Sequence, residues 1–327
     1  MINTLHISRF KSIKELSLDC RRVNVFIGEP NTGKSNILEA LGLLSFLPYG
    51  RGGGLRGKEF VRFERTSNLF YDENLDHPLE IKCDTITLQL EFKGGGFTGW
   101  CDETAGHVFS LSGSHSEFGA GASGRTHTVA RFKSYRFTVK ETFPQPESGF
   151  LLPPSGDNLL SLLLANRELH SIVNQPFLSR GLYLGLRPQE GKLEVVKGLK
   201  EGVIVSYPYS LASETLQRLT FYMAAILSNK DSVLIFEEPE SHAFPYYTKQ
   251  LAETIALDEN QNQYFISTHN PYFLLPLLAK IPKNDLAVNI VYYEDYQTKV
   301  KTLTEQDLAE LGEIDVFSNL ERYLESK

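Results

Sequence analysis

A chain of 327 residues exceeds the commonest domain size but falls short of three domains, so one large domain, or one with an inserted lobe, is expected. An apolar share of 41% can bury a sizeable core, while no run of 18 unbroken apolar residues offers a membrane span. The net charge of −7 does not advertise nucleic-acid binding; a local basic patch of Arg125, Arg131, Lys133 and Arg136 stays possible, its alternative being a solvated face.

The N-terminus lacks a charged region followed by an apolar one, so no secretory leader is expected. Cys20, Cys83 and Cys101 are scattered and odd in number, which fits reduced thiols in a cytoplasmic protein better than a disulfide or zinc framework. Residues 2–7 and Val23–Ile27 read as strands, the second a short apolar run ended by Gly28. A helix over 34–47 carries Ile37, Leu41 and Leu44 at helical spacing, with Pro48 and Gly50 to stop it. Residues 50–150 are Gly-rich at 50–57, 94–99 and 113–124 and alternate at 86–92, which predicts an antiparallel β lobe with mobile loops. A helix is expected over 157–170, with Leu159, Leu160, Leu163 and Leu164 as its apolar stripe.

From residue 210 strands and helices alternate. Leu216, Leu219, Met223 and Ile226 line one helix face, 233–236 is a buried strand, and 246–257 is a helix entered at Pro245. Strands follow at 264–267 and 289–293, and a last helix at about 305–324 packs on the sheet edge. Such alternation implies an α/β fold with a mainly parallel sheet covered by helices. The expected organisation is one domain over 1–327. It comprises a P-loop start at 1–47, the antiparallel lobe at about 50–150, a small helical lobe and connection at about 151–210, and the remainder at 211–327.

The segment Gly28, Glu29, Pro30, Asn31, Thr32, Gly33, Lys34, Ser35 matches the G-x-x-x-x-G-K-S pattern of a P-loop, and Asn36 follows it. Glycines let the backbone wrap closely, so that successive N–H groups point at a phosphate. Lys34 is placed to reach the β- and γ-phosphates of ATP, and the Ser35 hydroxyl to ligate Mg2+. The helix beginning at Lys34 adds its positive end. The strand at 233–236 delivers two acids at its C-terminal edge, where open parallel sheets bind ligands. Glu237 suits a water-mediated contact to Mg2+; Glu238 suits deprotonating or orienting the attacking water. The alternative for both is an acidic loop after a core strand.

Phe236-Glu-Glu-Pro-Glu-Ser-His242 resembles the Walker B strand and following D-loop of ABC-type ATPases, in the branch that holds RecF, the OLD family and the SMC and DNA-repair ATPases. Leu5-His-Ile-Ser-Arg-Phe-Lys-Ser-Ile13, Asn24-Val-Phe-Ile-Gly28 and Leu152-Pro-Pro-Ser-Gly-Asp-Asn-Leu159 are similar to segments of the same branch. Glu237 departs from it, standing where Asp is usual. The resemblance implies a P-loop ATPase of ABC type, acting as an ATP-dependent homodimer with two composite sites. It makes His269, after the strand at 264–267, the switch histidine at the γ-phosphate. It places the signature, which completes the partner's site, at Tyr209–Leu219, with Ser213 and Thr215 as hydroxyl donors. The usual signature Gly is absent, Glu214 is expected to turn away from phosphate, and Ser213 also reads as a plain helix cap. Lys11 and Ser12 match nucleotide-contacting positions, or are a solvated strand end. Gln89 and Gln145 are both candidates for the Q-loop. No nuclease module or long coiled-coil insertion is visible, so a separate nuclease or effector partner is possible. The implied role is an ATPase serving a nucleic-acid-related or defence system; the rival is a slow nucleotide-gated switch or scaffold that regulates a partner.

Overall fold

Val23–Ile27 is five consecutive buried residues, a pattern that suits only a strand covered on both faces. The computed structural model, which describes residues 1–50, 57–103, 106–114, 118–122, 128–146, 148–198, 203–311, 317 and 319–325, places this strand inside a six-stranded sheet. In chain order the first elements are β1 (Thr4–Phe10), β2 (Ile13–Asp19), β3 (Val23–Ile27), α1 (Lys34–Tyr49) and α2 (Gly57–Phe60). Then come β4 (Leu79–Cys83), β5 (Ile86–Lys93), β6 (Gly96–Glu103), β7 (Gly106–Gly113), β8 (Phe118–Ala122) and β9 (Phe132–Tyr135). Next are α3 (Leu159–Ala165), α4 (Arg167–Leu178), β10 (Leu182–Arg187), β11 (Lys192–Gly198), β12 (Ile204–Pro208) and α5 (Glu214–Ser228). The chain closes with β13 (Val233–Glu237), α6 (Pro245–Ala256), β14 (Gln263–Ser267), α7 (Pro271–Lys280), β15 (Leu286–Glu294), β16 (Gln297–Thr302), α8 (Glu305–Glu310) and α9 (Leu320–Glu325).

The six-stranded sheet runs β16-β15-β3-β14-β13-β9 and is parallel apart from β16, which returns antiparallel along β15. Alternate residues of each strand enter two different cores, as the period of two requires. Leu234, Phe236, Tyr264 and Ile266 face helices α3 to α7, whereas Val233, Ile235, Phe26 and Phe265 face α1 and a second sheet. That second sheet, β2-β1-β4-β5-β6-β7-β8, is wholly antiparallel. Helix α1 packs between the two sheets, and its residues from Ile37 to Leu47 are all buried.

The α/β class and the parallel sheet agree with the sequence reading; several details differ. The first strand runs to Phe10 and pairs with β2, which had not been foreseen; both complete the antiparallel sheet expected at 50–150. From the same stretch β9 leaves for the parallel sheet, beside β13. Helix α1 continues two residues beyond 47, because Pro48 lies in the last turn and removes only one donor there. The helix expected at 157–170 is two, broken where Asn166 caps α4 by accepting from the Leu169 N–H; Leu164 is exposed. The lobe at 151–210 also holds a three-stranded antiparallel sheet, β10-β11-β12. The single last helix is instead α8, ending at Glu310, and α9, starting at Leu320. Its expected place is right: Tyr323 of α9 is buried, and Lys301 of edge strand β16 donates to the Tyr323 carbonyl at 2.6 Å.

Candidate nucleotide site

The ends of β3, β14 and β13 lie side by side, with β14 between the other two. Their register sets Glu237 beside Ser267, so that Glu238, His269 and the Gly28–Ser35 loop open on one face. A cavity of about 710 Å³ is lined there by Pro30, Asn31, Gly33, Lys34, Ser35, Asn36, Lys11, Glu237, Glu238 and His269.

The loop conformation depends on its glycines. Gly33 sits at φ 100°, and a Cβ there would lie 2.0 Å from the Thr298 hydroxyl. Gly28 sits at φ 149°, where a Cβ would meet the Val291 carbonyl oxygen at 2.2 Å. Thr298 also buttresses the loop: its hydroxyl donates to the Thr32 carbonyl at 2.9 Å and bonds the Ser12 hydroxyl at 2.6 Å, while Asn36 Nδ2 donates to Ser12 at 2.6 Å. Thr32 in turn donates to the Glu29 carbonyl at 2.9 Å. Ser12 is thus a strut beneath the loop. Lys34 Nζ donates to the carbonyls of Gly28 and Glu29 at 2.8 and 2.6 Å. Burial pulls its ammonium down to about 8, opposed by Glu238, Glu237 and Glu29. Below pH 8 the free side chain is charged and ready for phosphate; above it the proton is lost, while bound phosphate holds it on. Apparent ATP affinity should therefore fall above pH 8 by up to about tenfold per pH unit. Calorimetry in buffers of different ionisation enthalpy should show proton uptake on binding rising from near zero at pH 7 to about one at pH 9.

Glu238 adopts φ 43°, a left-handed conformation that few non-glycine residues take. Its N–H donates to the Ser267 carbonyl at 3.0 Å, tying the end of β13 to β14. Its Oε1 lies 3.1 Å from His269 Nε2, and Ser241 donates to Oε2 at 3.1 Å. Burial and then Lys34 lower the His269 pKa, with Glu238 opposing. Two residues on, Glu240 is buried and accepts from the Thr268 hydroxyl. Burial raises it to about 7, and the Thr268 donation resists the shift.

The cavity also gathers residues that sequence reasoning missed or misplaced. Glu39, buried on α1, takes the Lys11 ammonium on one oxygen and the Arg62 Nε on the other, the latter at 2.6 Å. Lys11 also donates to the Arg62 carbonyl at 2.6 Å, so it is no solvated strand end; burial lowers its pKa and Glu39 opposes. Glu237 accepts from Arg62 at 2.8 Å and has Arg136 at 3.7 Å. The basic patch of Arg136, Arg131 and Lys133 does not form. Arg136 faces this cavity, Arg131 pairs with Asp231, and Lys133 is buried over the Phe150 ring; Arg125 lies outside the described residues. Neither glutamine candidate reaches the cavity: Gln89 on β5 donates to Glu80, and the Gln145 N–H donates to the Asp157 carbonyl. A basic residue or a buried glutamate far along the chain carries no local signal of such a meeting.

Ser213 and Thr215 stand apart from the P-loop cavity, on a groove of about 550 Å³ with Leu211, Leu216 and Phe244. Ser213 precedes α5 but makes no side-chain cap bond, contrary to the plain-cap alternative. The Thr215 hydroxyl donates to the His242 carbonyl at 2.9 Å, and Glu214 is turned onto Arg218 at 2.8 Å, which lowers its pKa.

A metal at Ser35 and Glu237 would meet hard oxygen donors. Among the described residues no group of three or more His, Cys, Asp or Glu side chains could hold a metal alone. Hard oxygens of this kind suit Mg2+, which takes one or two protein oxygens and completes its shell with phosphate and water. No helix of the described residues is long and apolar enough to cross a membrane.

Residues 106–275, just over half of the chain, match the family described as AAA domain, putative AbiEii toxin, Type IV TA system. Residues 1–48 match a family described as Protein of unknown function (DUF2813). No curated protein matches. Among solved structures, an SmcHead bound to the C-winged helix domain of ScpA is similar with a TM-score of 0.57 at 14% identity, covering 94% of this chain and 99% of that one. An Smc head domain with an extended coiled coil, bound to the C-terminal domain of ScpA from Pyrococcus furiosus, gives a TM-score of 0.53 at 14% identity, covering 95% and 98%. The chain belongs to the family described as AAA domain, putative AbiEii toxin, Type IV TA system, and it shares the fold of the Smc head domains.

Proposed function

We propose that this chain binds ATP with Mg2+ and hydrolyses it within an ATP-dependent homodimer. The observation that carries the reading is the meeting of Lys34, Glu238 and His269 from three neighbouring strand ends around one cavity. In this reading Gly28 to Asn36 wrap the phosphates, and Lys34 holds the β- and γ-phosphates. Ser35, with Glu237 through water, would hold Mg2+, which when bound neutralises charge on the phosphate oxygens. Glu238 accepts the proton of the water that attacks the γ-phosphorus, as the bond from that phosphorus to the bridging oxygen breaks. His269, with Nε2 3.1 Å from Glu238 Oε1, keeps that carboxylate aimed. Lys11, held by Glu39, lies at the rim of the same cavity.

Ser213 and Thr215 lie outside their own chain's cavity, which supports their acting on the nucleotide of a second copy. The whole chain then works as one ATPase domain. The two similar Smc heads carry a ScpA domain, which supports a nuclease or effector partner here, in a nucleic-acid-related or defence role. Phosphate release by the purified chain, with and without DNA or RNA, tests the reading. Turnover should require Mg2+; its absence under every condition would leave only the slow nucleotide-gated switch.

A further inference from the structure

Glu237 faces the cavity with both oxygens near guanidinium groups. Arg62 Nη2 donates to Oε1 at 2.8 Å, and Arg136 Nη2 lies 3.7 Å from Oε2. Arg62 does not hang free. Its Nε and backbone N–H go to Glu39 Oε1 at 2.6 and 3.3 Å, and the Glu39 side chain is only 5% exposed. Glu39 sits on α1, the helix that opens with Lys34 and Ser35. Arg62 therefore spans the gap between α1 and the end of β13, anchored at one side by a buried carboxylate and resting at the other on the acid assigned to Mg2+.

We infer that Arg62 is a positioning residue that competes with Mg2+ for Glu237 and so sets the Mg2+ concentration at which nucleotide is held. This rests on the nucleotide reading above. A carboxylate already bonded to a guanidinium is neutralised, and a cation that uses it, even through water, must share or displace that bond. Arg62 is about half exposed, so solvent screens the pair and the competition is graded, with no absolute block. Once displaced, Arg62 stays tethered by Glu39, and its Nη2 is left at the cavity where a triphosphate can take it. The residue at 237 matters to this device. Glutamate has one methylene more than aspartate, which carries its oxygens farther from the β13 backbone and toward Arg62.

The test is binding of ATPγS, followed by calorimetry, across a MgCl2 titration. The proteins are wild type, Arg62→Gln, Glu237→Asp and the double variant, each checked for an unchanged melting curve. Arg62→Gln should lower the half-saturating Mg2+ about three- to tenfold, while weakening the residual binding of ATPγS seen without Mg2+. Glu237→Asp should shift half-saturation in the wild-type background by a different factor than in the Arg62→Gln background, because the two side chains share one bond. An unchanged or raised half-saturation in Arg62→Gln, or equal effects of Glu237→Asp in both backgrounds, would overturn the competition. A wild-type chain that fails to bind ATPγS at any Mg2+ concentration would instead overturn the nucleotide reading on which it stands.

Discussion

Lys34→Ala is expected to weaken ATP binding by roughly 30-fold or more while leaving the fold intact. The ammonium is placed by the loop itself, between the carbonyls of Gly28 and Glu29, and bound phosphates would take over those bonds. Losing one partner of a buried, charge-assisted contact costs about 2–5 kcal/mol, or roughly 30-fold to several thousand-fold in affinity. Removing the side chain takes this donor from the carbonyls of Gly28 and Glu29; a cost of about 1–2 kcal/mol in a chain of this size should move the melting temperature by only a few degrees. Equal affinity of variant and wild type in calorimetry would remove the P-loop assignment.

Glu238→Gln is expected to keep ATP and lose turnover. Glutamine is the same size and can keep its carbonyl oxygen toward one of the two neighbours of Glu238, Ser241 or His269, while its amide NH2 faces the other. It cannot take a proton from water, so the rate should drop by about 10²–10⁴. Lys34, Ser35 and Glu237 remain, so affinity for ATP with Mg2+ should stay within about threefold of wild type. A variant that hydrolyses at the wild-type rate would show that another group is the base.

What the sequence made legible here was local. The glycine pattern before Lys34 and the apolar runs at β3, β13 and β14 carry their meaning within a few residues, and each stands where it was expected. The two acids after β13 and the histidine after β14 were legible as candidates, but only the sheet order shows that they touch. Arg62 and Glu237 are 175 positions apart, and Lys11 and Glu39 are 28 apart; no periodicity encodes such approaches. Helix boundaries were lost where one side chain decided them, as Asn166 does between α3 and α4. Strands β10 to β12 were hidden because the sheet is small and largely solvated: β12 has four of its five residues exposed. That leaves no clean alternation to read.

The dimer cycle is the part of the proposal with the clearest single readout. In ATP and Mg2+, Glu238→Gln retains the γ-phosphate, so Ser213 of each copy should stay docked on the nucleotide of the other. Light scattering should then give a mass near twice the 36.9 kDa of one chain. Adding Ser213→Arg should return it to the single-chain mass, because the larger side chain blocks closure without touching the P-loop. A single-chain mass for Glu238→Gln at every ATP concentration, together with full turnover in Ser213→Arg alone, would contradict the homodimer and leave a monomeric P-loop ATPase.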